Sequence, residues 1–216
     1  MRAFRLAIAA LALIACAAPS LVGTQITPTA APDFTLTDGI SGKAVTLSAQ
    51  QGKVVVLSFL YTHCPYVCPL TAETFRQAQR KLSDAERDRT VFVAVSVDPR
   101  QDTPDAVQAF ARDHGLAKGF LFLVGGAAQL QPVWSAYGIR VETDPSSTGV
   151  GHSDAIYLLD AKGRARVLVH SDVTPDALAG DVKVLAAERS AVATSLIAVQ
   201  PMINEPRLRL GLYIMV

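Results

Sequence analysis

The sequence predicts an α/β domain with a mixed central sheet flanked by helices and an N-terminal strand extension. Two runs, VVVLSFLY over 54–61 and VFVAVSV over 91–97, are continuously β-branched and apolar at strand length, as expected of strands buried on both faces. The order of elements along the chain, β-β-β-α-β-α-β-α-β-β-α, then points to one mixed sheet with helices on both faces.

Each element has a local reason. Phe34 to Leu36 and Ala44 to Leu47 read as short strands joined at a turn holding Gly39 and Gly42. After the buried run 54–61, Pro69 to Leu82 has helical spacing, with Leu70, Phe75, Ala78 and Leu82 as an inner face. The stretch Asp102-Thr103-Pro104-Asp105 follows the second buried run and opens a helix towards Gly115. Thr103 can cap it, Pro104 suits the first helical position and the acids suit the N-terminal dipole. Phe120 to Val124 is a third strand, and a helix over 127–137 stops at Gly138. A Gly/Ser/Asp/Pro loop over 142–151 leads to strands at 155–159 and 165–169. Thr174-Pro175-Asp176 starts a last helix that ends near Arg189.

The 216 residues suit one domain better than two, and 20 Lys plus Arg against 19 Asp plus Glu give no basic field for nucleic acid. The opening MRAFRLAIAALALIACAAPS has two arginines, an uncharged run and small residues, the layout of a secretory signal. Its Leu13-Ile14-Ala15-Cys16 resembles a bacterial lipobox, which makes Cys16 the expected lipidation site and residues 1–16 a lipoprotein-type signal. A retained helix and simple cleavage are the rival readings; Pro19 interrupts the apolar part short of a full span. Residues 17–32, rich in Ala, Thr and Pro, are expected to be a linker, with the domain over 33–189 and a tail of no assigned role over 190–216. Every variant places the fold outside the cytoplasm, where thiols oxidise unless reduced or metallated.

HCPYVC, 63–68, places two of the three cysteines four apart at the junction of strand and helix. A bridge across so short a loop removes little chain entropy, so chemistry explains the pair better than stapling. Near a helix N-terminus Cys64 is expected to favour the thiolate, and Cys68 lies one turn on, so the pair can grip an ion or close a disulfide. Two thiolates suit Cu(I), zinc or iron–sulfur chemistry, and an added imidazole also admits Cu(II). Four-ligand zinc and cluster sites lack a third cysteine within the domain. Of the histidines, His63 should project away from Cys64, and His114 and His170 read as surface residues. A cysteine motif after a central strand, together with the closing hairpin and helix, resembles the thioredoxin-like architecture. In that architecture the junction holding His152 faces the cysteines.

FLYTHCPYVCPLT (59–71), VSVDPRQDTP (95–104) and GHSDAIYLLDAKGR (151–164), in that order, resemble the Sco/SenC family of copper chaperones for cytochrome c oxidase assembly. The resemblance implies copper, Cu(I) or Cu(II), held by Cys64, Cys68 and His152. It further implies delivery to the dinuclear copper site of the oxidase by a protein of the bacterial cell envelope, membrane-anchored and facing the periplasm or outside. Its expected partner is the copper-containing oxidase subunit, with another periplasmic copper chaperone or a thiol reductant as further candidates. A metallochaperone is expected in preference to an enzyme. The alternatives are a thiol-disulfide reductase, with Cys64 attacking and Cys68 resolving, and a redox sensor. Asp98 and Asp102 also match, but turn formation and capping suffice for them and no ligand role is assigned. The chain departs at Tyr66 and Gly151, where many or some members have Asp. Both changes bear on the charge around the site, and neither removes a ligand.

Overall fold

The computed structural model describes residues 20–116, 118–143 and 149–188. Cys16, the signal segment and the tail expected at 190–216 lie outside the described residues. Eight strands form one sheet in the order β1-β10-β9-β4-β5-β6-β2-β3. They are β1 (Thr24–Ala30), β2 (Thr35–Asp38), β3 (Ala44–Thr46), β4 (Val54–Leu60), β5 (Thr90–Ser96), β6 (Phe120–Val124), β9 (Ile156–Leu159) and β10 (Arg164–Val169). The pairs β4–β5 and β5–β6 are parallel and the others antiparallel, which is the expected mixed sheet. Every residue of β4 and β5 is buried, as their unbroken apolar sequences require.

The helices are α1 (Val67–Arg80), α2 (Asp84–Asp88), α3 (Pro104–Asp113), α4 (Ala127–Ala136) and α5, which covers residues 175–188. On α1 the buried positions Cys68, Ala72, Phe75 and Ala78 follow helical periodicity, and Phe75 meets Phe92 of β5 with ring centroids 5.2 Å apart. The Thr103 hydroxyl caps α3 by accepting the Ala106 N–H at 3.2 Å. Gly138, at φ 67°, takes the left-handed turn that ends α4.

Four elements depart from expectation. Residues 24–30 of the expected linker form the edge strand β1, which is exposed at nearly every position and so carries no hydrophobic alternation; backbone pairing to β10 makes it a strand. The first helix begins at Val67, with Tyr66 as its cap, two residues before Pro69. The short α2 is held by a Ser83–Glu86 capping box. The loop expected over 142–151 is flanked by a separate ribbon of β7 (Val141–Thr143) and β8 (Val150–His152). Among the described residues no helix is long and apolar enough to cross a membrane.

Candidate metal centre

Strand β4 ends at Leu60, and the chain turns so that Cys64 stands just ahead of α1 while Cys68 lies in its first turn. Cys68 is fully buried and Cys64 half-buried, both as free thiols. The Cys68 N–H donates to Cys64 Sγ at 3.3 Å, so the Cys64 sulfur sits over the helix N-terminus, as the sequence implied. A hydrogen bond from the Cys68 thiol lowers the Cys64 thiol to about 5, helped by the N–H groups of Cys68 and Tyr66 and by the Tyr61 hydroxyl, against the opposing effect of burial. The same bond and its own burial push the Cys68 thiol upward. One sulfur is thus a thiolate and its neighbour keeps the proton.

A buried carboxylate holds the loop that carries Cys64. Asp102 Oδ1 accepts from the Thr62 N–H at 2.8 Å and the Thr62 hydroxyl at 2.7 Å, while Oδ2 accepts from the Ser96 hydroxyl at 2.5 Å. Burial, with Asp98 adding repulsion, raises the Asp102 carboxyl above its ordinary range; its hydrogen bonds work against that shift. Asp98, fully buried, accepts from the Gln101 amide at 2.7 Å and lies 3.3 Å from the Arg100 guanidinium. Turn formation and capping by 98–103 are therefore present. What the sequence reading missed is that Asp102 also pins residue 62, a partner 40 positions away that only the fold brings near.

An open cleft of about 350 Å³ runs from Cys64, Tyr61 and Tyr66 to His152, Asp154 and Ser171. The His152 ring stands edge-on to the Tyr61 ring, with centroids 6.0 Å apart. Its Nδ1 lies 2.9 Å from the Ser153 carbonyl oxygen, which can only accept, so Nδ1 carries a proton and the neutral ring has its lone pair on Nε2. Across the ribbon Gly151 faces Glu142, and both border a hollow with His152 and Arg140. A carboxylate thus comes from the opposite strand at the place where residue 151 has none.

The cleft brings Cys64 and His152 to one opening with Cys68 buried behind, but it does not close them on a point. Among the described residues no three His, Cys, Asp or Glu side chains are gathered tightly enough to hold an ion. His63 is exposed, its Nδ1 2.9 Å from the Thr62 hydroxyl. His114 caps the end of α3 against Phe110, and the exposed His170 bonds the Asp154 carbonyl at 2.6 Å.

The SCO1/SenC family model matches residues 23–187. The mitochondrial SCO2 homolog of Bos taurus is 33% identical over 137 residues, 61% of this chain and 50% of that protein. The chain spans about half the length of the curated relatives it matches. Among solved structures, Bradyrhizobium japonicum ScoI with copper bound is 30% identical with a TM-score of 0.63, covering 73% of this chain and 99% of that one. BsSco, described as a member of the Sco family of cytochrome c oxidase assembly proteins with a disulfide switch, is 25% identical with a TM-score of 0.63, covering 76% of this chain and 98% of that one. The fold is accordingly the thioredoxin-like arrangement expected from the sequence.

Proposed function

The chain belongs to the SCO1/SenC family, and from that premise we propose that it is an extracytoplasmic, membrane-tethered copper-binding protein that delivers copper to the dinuclear copper site of cytochrome c oxidase during assembly. Cys64, Cys68 and His152 hold the cargo and Cys16 carries the lipid. The observation that supports this reading most is the donor set at one cleft: a stabilised thiolate, a second sulfur one turn on, and an imidazole whose Nε2 is free. Two soft sulfurs and one nitrogen suit copper in either oxidation state. His152 stands at the end of the β7–β8 ribbon, outside the eight-stranded sheet, while Val150 and Val141 of the same ribbon pack on the core, so bringing it onto the sulfurs calls for a local shift at 152. Copper is cargo here, released by ligand exchange with incoming thiolates of the oxidase subunit.

The unequal cysteines also favour a second reading, thiol-disulfide reduction of that subunit. The Cys64 thiolate would attack the partner's disulfide and expel one partner thiolate. Cys68, losing its proton, would then attack the Cys64 sulfur and release the second, leaving a Cys64–Cys68 disulfide for a thiol reductant to reopen. Titration of the fully reduced chain with Cu(I), wild type against His152→Ala, separates the readings. The copper reading expects stoichiometric binding that weakens strongly without His152. Unchanged affinity in His152→Ala with persisting disulfide reduction moves the function to the reductase. No copper binding by the reduced wild type overturns the delivery reading.

A further inference from the structure

The chain enters the fold through a fastened joint. Leu21 packs against the core, and the N–H groups of Val22 and Gly23 donate to the Asp181 carboxylate of α5 at 2.6 and 3.0 Å. Asp181 is fully buried, and a carboxylate accepting from two successive backbone N–H groups grips one point of the main chain. A Cβ at Gly23 would stand 2.4 Å from Val169 and 2.5 Å from Val167, so no side chain fits there.

Strand pairing fixes which end of the sheet this joint occupies. Thr24 opens β1 opposite Leu168 near the end of β10, β10 is antiparallel to β9, and β9 is antiparallel to β4. The chain therefore enters at the end where β4 delivers Cys64. Val169 touches the joint, and Ser171, two residues on, lines the cleft with Cys64 and His152. All the exposed large hydrophobic side chains among the described residues are at this end: Val22 at 69%, Tyr66 at 76%, Val67 at 44% and Leu70 at 65%. Neither 17–32 nor 61–72 contains an acidic or basic residue, apart from His63. The opposite end carries a charged hollow with Lys53, Arg76, Arg80, Arg87 and Lys118.

We propose that the cysteine-bearing end is the membrane-facing end of the domain, and that Val22, Tyr66, Val67 and Leu70 rest on the phospholipid interface beside the tether. This rests on the reading of Cys16 as the lipid anchor. Five residues lie between Cys16 and the pinned Val22, and these six steps of chain allow at most about 20 Å at full extension. A joint held that near keeps its own end of the domain at the bilayer. The tether raises the effective concentration of lipid so far that a few partly exposed apolar side chains suffice for contact. Tyrosine, with an apolar ring and a polar tip, suits the interface. The cleft then opens beside the membrane, within reach of an acceptor that moves in the same plane.

The test is lipid quenching on the full chain reconstituted in phosphatidylcholine vesicles with brominated acyl chains. Its one tryptophan, Trp134, is 8% exposed and serves as the internal baseline. Tyr66→Trp and Leu70→Trp are expected to lose at least half of the added emission, while Lys53→Trp at the far end keeps it. Inserting about 20 Gly/Ser residues after Cys16 should reduce the quenching severalfold with the protein still vesicle-bound. Equal quenching at 53 and 66 overturns the orientation. No quenching at 66 on a vesicle-bound chain overturns the lipid contact and leaves the rim to a protein partner. A wild-type chain that fails to float with the vesicles overturns the anchor reading and this proposal with it, without touching the copper titration.

Discussion

The two sides of the cleft are built to different standards. The cysteine side grows out of β4 and α1, with Cys68 fully buried and Thr62 clamped by a buried carboxylate. The histidine side is a two-stranded ribbon outside the main sheet, seated on the core through Val150 and Val141, with the His152 ring itself held by one bond to the next carbonyl and one edge-on ring. A ring at the end of a three-residue strand has few contacts to fix it, whereas a sulfur wedged into a core cannot shift without moving the core. The difference separates a preset half-site from a closing half-site, and each expected effect below tests that separation.

Removing the proposed ligands should show the largest effects. Cys64→Ser and His152→Ala are each expected to weaken Cu(I) binding beyond the about 10–100-fold typical of changes outside the ligand shell. Their stability signatures should diverge, because His152→Ala on the ribbon should cost no more than about 0.5 kcal/mol by chemical denaturation. A His152→Ala chain that unfolds much earlier than wild type would show that both sides belong to one rigid unit.

Next comes reactivity against pH. With Cys64 lowered to about 5, alkylation by iodoacetamide should reach half its plateau near that pH, and buried Cys68 should stay unmodified in the folded chain. The linked stability has a definite sign. The folded state releases the Cys64 proton more readily than the unfolded chain, whose thiol titrates near about 8.5. That stabilisation is complete above about pH 8.5, shrinks as pH falls and is gone below about 5. Cys64→Ser should flatten this part of the stability curve. An alkylation midpoint near 8.5, the ordinary thiol value, would remove the preset thiolate and with it the contrast.

The same contrast governs what could be read in the sequence. Elements whose residues carry their own signal were legible: the unbroken runs of β4 and β5, the Thr103 cap, and Gly138 at the end of α4. The cysteine spacing at a strand-to-helix junction belongs with them. β1 was not legible, because an exposed edge strand has no pattern of its own and exists by pairing with β10 and by the grip of Asp181 on residues 22 and 23. The β7–β8 ribbon was hidden for a related reason, its strands being three residues each beside a Gly/Ser-rich stretch. The short α2 does carry a local signal, Ser83 and Glu86 forming a capping box around an acidic first turn. The Thr62–Asp102 clamp left no local trace, since both residues look complete as turn and cap formers until the fold brings them together.

Asp102→Ala should be costly on the cysteine side. It leaves the Thr62 N–H and hydroxyl and the Ser96 hydroxyl without their acceptor, and orphaned buried groups cost about 1–3 kcal/mol each with incomplete additivity, so about 3 kcal/mol is expected in total. Asp102→Asn, which keeps one acceptor oxygen, should lose less. Equal losses for the two variants would point to packing and not to the hydrogen bonds.

The smallest effect is expected where α4 hands over to the ribbon. Gly138 sits at φ 67°, and a Cβ there would meet nothing within 4 Å, so Gly138→Ala introduces backbone strain without a clash. A left-handed alanine costs about 1–2 kcal/mol, readable as a lower midpoint in chemical denaturation. Because the strain falls in the turn after α4, before β7 and the ribbon begin, copper affinity should stay within about a factor of 2, less than the ~1.4 kcal/mol that corresponds to tenfold. A tenfold loss of copper affinity in Gly138→Ala would mean that the path from α4 into β7 sets the position of His152. The histidine side would then be as preset as the cysteines it faces.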